Sequence, residues 1–216
     1  MSNELSVNIF ILCTGRCGST TFIQACQHIS NYTAAHESRI SLLGNERLNY
    51  PENHIEADNR LSWFLGRLDE KFGDRAFYVH LIRNQNDTAE SFNSRWQYKK
   101  SIIRGYARDI LMRDEEKEKE QLSICKDYCD TINTNIKFFL KDKSKQMTFK
   151  LENATNDFCE FWQRIDAQGD FSAAIDVWST KYNSTQISVT SIQHKSQSQG
   201  KLRTVKKMVR DIVRNF

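Results

Sequence analysis

A single proline, Pro51, and eight glycines are spread over 216 residues, so few positions can break a helix or take a left-handed turn. This scarcity excludes collagen-like, proline-rich and glycine/serine linker designs and predicts a chain built largely of regular structure, much of it helical. Long apolar runs are also missing. The run Val7–Cys13 covers seven residues near the start, against the roughly twenty of a membrane span. No basic segment precedes it as in an export signal. The expectation is a cytoplasmic chain with no membrane span, in which the sequons at Asn31, Asn86, Asn153 and Asn183 carry no glycan. The six cysteines (13, 17, 26, 125, 129 and 159) contain no C-x-x-C pair and no matching histidine spacing. Structural zinc and redox motifs are therefore disfavoured, and reduced thiols are expected.

What is present describes a polar globular protein: 39% hydrophobic and 27% charged residues, 13 Phe, 7 Tyr and 4 Trp for packing, and a mean hydropathy of −0.64. The length suits one domain over residues 1–216. The net charge of +4 is concentrated at the end, where Lys201, Arg203, Lys206, Lys207, Arg210 and Arg214 face only Asp211. A basic tail on a neutral body is not the chain-wide footprint of a nucleic-acid binder.

Hydrophobic patterning supplies the elements. Val7–Cys13 reads as a buried parallel strand. A Gly/Ser/Thr loop, Thr14–Thr21, follows, and the residues from Phe22 to Ile29 have helical spacing. Asn53-His-Ile-Glu56 reads as a capping box opening a helix through Leu61, Phe64, Leu65, Leu68 and Phe72 to Gly73. Phe77–Ile82 is a second buried strand, and Asp87-Thr-Ala-Glu90 another capping box, for a helix to about Tyr98. The acidic run Asp114–Glu120 begins a helix with the stripe Leu122, Cys125, Cys129, Ile132, Ile136 and Phe139. Met147–Leu151 is a short strand, and Phe158, Phe161, Trp162 and Ile165 mark a helix. Residues 184–200 read as a polar loop before an amphipathic helix with Leu202, Val205, Val209, Ile212 and Phe216. Alternation of strand and helix gives an α/β fold, a three-layer sandwich with a central parallel sheet flanked by helices.

The chemistry concentrates in Thr14-Gly-Arg-Cys-Gly-Ser-Thr-Thr21. Gly15 and Gly18 allow backbone N–H groups to turn inward, Arg16 adds a fixed guanidinium, and Ser19, Thr20 and Thr21 fall where a helix N-terminus offers unpaired donors. Such a loop binds an oxyanion. It is not a Walker loop, since Gly15 and Gly18 are three apart and no lysine precedes Ser19. Nor is it a dinucleotide fingerprint, because G-x-G-x-x-G is absent.

The loop resembles the 5′-phosphosulfate loop of sulfotransferases that use 3′-phosphoadenosine-5′-phosphosulfate (PAPS). The family's second element, an Arg closing a central strand with a Ser eight residues on, is matched by Arg83 and Ser91. The likeness covers residues 7 to 100 and, weakly, Thr148 to Trp162, where Glu152 stands at the acidic end of a late strand. Two departures are visible: Arg16 where many members carry Lys, and Gln85 where Pro commonly follows Arg-Asn.

The resemblance implies a P-loop-like sulfotransferase architecture and transfer of a sulfuryl group from PAPS to a hydroxyl or amine of a carbohydrate or small molecule. It implies that Gly15, Arg16, Cys17, Gly18, Ser19, Thr20 and Thr21 hold the 5′-phosphate, with Arg16 also stabilising the leaving phosphate oxygen. Arg83 and Ser91 would grip the 3′-phosphate, and Lys195, Lys201 and Arg203 are candidates for a closing basic loop. Glu37 would act as base, with His36 as helper or alternative; the bland reading of this segment is a solvated turn in which Arg39 pairs with Glu37. His54 and Glu56 are rivals for that role, explained by capping. No metal is expected. The acceptor would be met by residues 38–53 and 98–125, where Trp63, Trp96, Tyr98 and Tyr106 could stack on a sugar or phenol or serve the core. Competing functions are a divergent P-loop nucleotide kinase and an anionic-surface binding module using Lys201–Phe216. The oligomeric state is left open.

Overall fold

The computed structural model describes residues 7–113 and 118–179. The chain divides into two compact units, Met1–Ile175 and Asp176–Phe216, and the architecture below is that of the first. The basic loop and closing helix expected after residue 183, with Lys195, Lys201 and Arg203, lie outside the described residues.

Five strands form one sheet in the order β2-β3-β1-β4-β5, every pair parallel. They are β1 (Ile9–Leu12), β2 (Thr33–His36), β3 (His54–Ala57), β4 (Phe77–Ile82) and β5 (Gln146–Lys150). β1 is wholly buried because helices cover both of its faces, which is why its sequence is a continuous apolar run rather than an alternating one. On one face, Phe10, Leu12 and Tyr78 join Leu61, Tyr128, Ile132 and Ile136 in a single cluster. This is the side of α3 (Gln85–Asn93) and the long α5 (Glu118–Leu140). On the other face Phe22 of α1 (Ser19–Cys26) meets Phe149 of β5 at 4.9 Å, and Phe158 and Phe161 of α6 (Ala154–Arg164) at 5.7 and 5.0 Å between ring centroids. Each such buried ring contributes about 1.5–3 kcal/mol. The result is the expected three-layer α/β sandwich.

The main departure from the sequence reading is at residues 53–56. His54–Ala57 is not a helix start but β3, a buried strand between β2 and β1. Its polar residues are tolerated because the fold satisfies them. Buried Glu56 accepts from the Ser38 backbone N–H (2.8 Å) and hydroxyl (2.6 Å) and contacts His54 Nε2 at 3.0 Å. The other His54 nitrogen meets Thr33 Oγ1 at 2.8 Å. Asn53, at φ 49°, accepts from the Val7 N–H instead of capping a helix. The expected helix through residues 61–72 is divided into a 3₁₀ turn, Asn59–Trp63, and α2 (Leu65–Lys71). The helix after β4 begins earlier than expected. Asn84, not Asp87, caps it by accepting from the Asn86 and Asp87 N–H groups, and it ends at Asn93, leaving Trp96 and Tyr98 in turns. A short helix, α4 (Ile102–Gly105), runs into a π turn, Tyr106–Ile110.

Strand β1 is the centre from which the chain leaves first to one side (β2, β3) and then to the other (β4, β5). Ligands of open α/β sheets bind beyond the carboxyl ends of the strands where the winding reverses. That position is occupied by the loop after β1.

Candidate functional site

The loop after β1 owes its shape to backbone that ordinary residues avoid. Gly15, Arg16 and Gly18 all have positive φ, at 85°, 61° and 93°. A Cβ on Gly15 would come within 2.9 Å of Asn59 Nδ2, and one on Gly18 within 2.7 Å of Leu151 Cδ1. The glycines are thus needed both for conformation and for space. The turn is anchored from below: Tyr128 donates its hydroxyl to the Thr14 carbonyl at 2.9 Å, Ser62 donates to the Cys13 carbonyl at 3.1 Å, and Asn59 reaches the Thr14 carbonyl at 3.4 Å. Burial pushes the Tyr128 phenol well above its ordinary pKa, so it remains a donor. Cys13 and Cys17 are buried beneath the loop; the hydrogen bond between their thiols makes Cys17 the more acidic and Cys13 the less acidic of the two.

No side chain caps α1 at Gly18, and its first intrahelical donor is the Phe22 N–H, to the Gly18 carbonyl at 2.9 Å. The N–H groups of Ser19, Thr20 and Thr21 therefore open toward the loop, as an anion requires.

The second motif is brought to the first. Arg16 Nε donates to Ser91 Oγ at 3.1 Å, and Arg83 Nη1 donates to the Arg16 carbonyl at 3.4 Å. Arg83 also lies 3.7 Å from Asp87. Partial burial, followed by repulsion from Arg95 and Arg83, lowers the Arg16 pKa. Arg95, one turn beyond Ser91, escaped the sequence reading although its i+4 spacing from Ser91 was the available signal. Arg83 and Arg95 both act on Arg16, so the Arg16–Ser91 pair lies in a basic locus suited to an anion. Glu152, after β5, accepts from the Asn84 N–H at 2.6 Å and ties the two strand-end loops together.

On the other side of β1, β2 delivers His36 and Glu37. His36 Nε2 and Ser19 Oγ are 3.0 Å apart in hydrogen-bond contact, which joins the base candidate's segment to the anion loop. Glu37 sits at φ 52°, held by its own N–H to the Ala57 carbonyl at 3.0 Å and by the Ser38–Glu56 bonds. Its carboxylate pairs with Arg60 at 2.9 Å, not with Arg39, which donates to the Glu46 carbonyl. Arg60 was not foreseen, because only the tertiary fold puts it opposite Glu37. Buried Asp58, paired with Arg47, accepts from the Arg60 N–H at 2.8 Å and caps that turn. His54 and Glu56 are spent on each other in the sheet.

All six cysteines are free, no group of His, Cys, Asp and Glu among the described residues is arranged to hold a metal, and no described helix is long and apolar enough to cross a membrane. A cleft of about 530 Å³ lined by Val7, Tyr32, Phe77, Lys145, Gln146 and Arg164 lies at the amino ends of the strands, away from the loop. A smaller one, about 250 Å³, opens between Trp63 and the π turn.

The sequence matches no family profile and no curated protein. Its structure does match. Mouse sulfotransferase SULT7A1, solved in complex with PAP, superposes with a TM-score of 0.55 over 83% of this chain and 69% of its own, at 15% sequence identity. The glycine loop, the parallel sheet and this superposition together establish that the chain has the sulfotransferase fold.

Proposed function

We propose that the chain is a sulfotransferase that uses PAPS and passes its sulfuryl group to a hydroxyl or amine acceptor. The observation that carries the reading is the meeting of Arg16, Arg83 and Ser91, from two distant motifs, above an open helix N-terminus. PAPS carries phosphate at both the 5′ and 3′ positions and supplies the sulfuryl group. The N–H groups from Gly15 to Thr21 fit the 5′-phosphate, and Ser91 and Arg83 fit the 3′-phosphate. Arg16 would stabilise negative charge gathering on the phosphate side as the sulfuryl group leaves. Glu37 would take the proton of the attacking hydroxyl, with Arg60 fixing the carboxylate's direction and His36 as the alternative base. The single-domain organisation over residues 1–216 and the absence of a required metal belong to the same proposal.

Calorimetric titration of the full chain with 3′,5′-ADP, 5′-AMP and ATP tests it. The expected result is selective binding of the 3′-phosphorylated nucleotide and sulfuryl transfer that survives EDTA. Equal or preferred binding of ATP, or activity restored only by Mg²⁺, overturns the reading in favour of a kinase.

A further inference from the structure

Glu37 stands in a conformation that residues with a side chain avoid. Its φ is 52°, in the left-handed region, where such a residue persists only if its surroundings over-determine it. They do so at both of its ends. On the backbone side, its N–H donates to the Ala57 carbonyl at 3.0 Å, and Ser38 gives its N–H (2.8 Å) and its hydroxyl (2.6 Å) to the Glu56 carboxylate. At the side-chain end, Arg60 meets the Glu37 carboxylate at 2.9 Å, and Asp58 holds Arg60 by accepting its N–H at 2.8 Å.

Both holding groups are fully buried carboxylates, Glu56 within β3 and Asp58 directly after it. Burying a carboxylate is costly, and the sheet does not require one here, since β3 pairs with β1 and β2 through its backbone. The two are also joined to each other. Asp58 pairs with Arg47, Arg47 donates to the Tyr50 hydroxyl at 3.2 Å, the Tyr50 ring stacks on His54 at 5.5 Å between centroids, and His54 Nε2 lies 3.0 Å from Glu56. These contacts close a circuit that leaves one end of Glu37 and returns to the other. Arg47, Tyr50, His54, Glu56 and Asp58 are buried, whereas the side chains of Glu37 and Arg60 are 30% and 40% exposed. The circuit therefore opens to solvent at the base candidate.

Resting on the reading of Glu37 as the base, we infer that Glu56 is a positioning residue: its buried carboxylate clasps Ser38, fixes the left-handed turn at Glu37 and so sets where the Glu37 carboxylate stands. Glu56 touches no substrate and acts through Glu37 alone.

The test uses the full chain and PAPS, with water as the acceptor and released sulfate as the product. The water oxygen forms the new S–O bond, the bond from sulfur to the 5′-phosphate oxygen breaks with its electrons going to that phosphate, and the water proton passes to Glu37. Glu56→Gln removes the charge of the clasp, and Ser38→Ala, in a turn that is only partly buried, removes one arm of it with little risk to folding. Each should lower kcat about fivefold or more while leaving 3′,5′-ADP affinity within about twofold, and Ser38→Thr, which keeps the hydroxyl, should stay near native. In a Glu37→Gln background the same changes should cost nothing further, because a residue that acts through Glu37 then has nothing to position. Amide hydrogen exchange gives a reading independent of turnover: the Glu37 N–H should exchange about tenfold faster in Ser38→Ala, with Ile11 and Leu12 of β1 unchanged. Equal losses in the native and Glu37→Gln backgrounds, turnover that survives Glu37→Gln, or unaltered exchange at Glu37 overturns the inference. Failure of the native chain to bind 3′,5′-ADP or to release sulfate overturns the sulfotransferase reading instead, and the exchange measurement still decides whether Glu56 sets the turn.

Discussion

Arg16 and Ser91, 75 positions apart, meet through a 3.1 Å hydrogen bond from Nε to Oγ. Neither residue needs the other for the sheet or the core; the contact exists because β1 and β4 are parallel neighbours and the elements after them leave from the same edge. The bond sets a hydroxyl against Arg16, which Arg95 and Arg83 repel, and a phosphate placed there would relieve that repulsion.

Arg83→Ala and Ser91→Ala should therefore weaken 3′,5′-ADP by about 10- to 100-fold, the range of a charge-assisted hydrogen bond. Binding of 5′-AMP, which lacks the 3′-phosphate, should change little. Calorimetry with both nucleotides checks it, and equal losses for the two would show that the residues shape the loop rather than read the 3′ position.

Glu37 and Arg60 make a second test. Glu37→Gln should leave 3′,5′-ADP affinity near native and lower kcat by about 10²–10⁴, the span of general base catalysis. Arg60→Ala should lower kcat less, and Arg60→Lys should recover part of the loss because a cation returns without the planar fork. Turnover that survives Glu37→Gln would move the base to His36.

His80, buried in β4, has its pKa lowered by burial, against the opposing effect of its hydrogen bond to Asn133. A histidine with a folded value below its unfolded one stabilises fully above the unfolded pKa, near 6.5. That contribution is lost as the pH falls through the folded value, because the unfolded state then binds more protons. Urea denaturation should show stability falling from pH 7.5 to 5.5, and His80→Gln should flatten that part of the profile. A profile unchanged by His80→Gln assigns the acid sensitivity to other groups.

Legibility followed the range of the interactions. β1 and β4 could be read because strands covered on both faces have little choice but to be apolar, and the tight turn after β1 could be read because Gly15 and Gly18 are local requirements of backbone shape. β3 was misread because His54 and Glu56 are acceptable in a buried strand only through Thr33 and Ser38, about twenty residues away. Glu37 was visible as a candidate, whereas its partner Arg60 was not, since a turn after a different strand delivers it. Gln85 occupies the first position of α3, where proline is pre-shaped for the helix. Asn84, with two hydrogen bonds from its side chain, fixes that start instead.

Gly18 offers the sharpest check on the loop itself. Its φ of 93° lies where a side chain is strained whatever space it has, and an added Cβ would also meet Leu151 Cδ1 at 2.7 Å. The backbone strain alone should cost about 1–3 kcal/mol, so Gly18→Ala should lower Tm measurably and weaken 3′,5′-ADP binding through distortion of the donors at the start of α1. The contact with Leu151 is with a side-chain end, which can yield. Combining Gly18→Ala with Leu151→Ala should therefore recover the steric part of the loss but not the conformational part, leaving nucleotide affinity still below native. Full recovery in the double variant would mean that crowding, and not the left-handed backbone, is what Gly18 relieves. Native Tm and affinity in Gly18→Ala itself would remove the loop's glycine requirement and, with it, the anion-binding reading of residues 14–21.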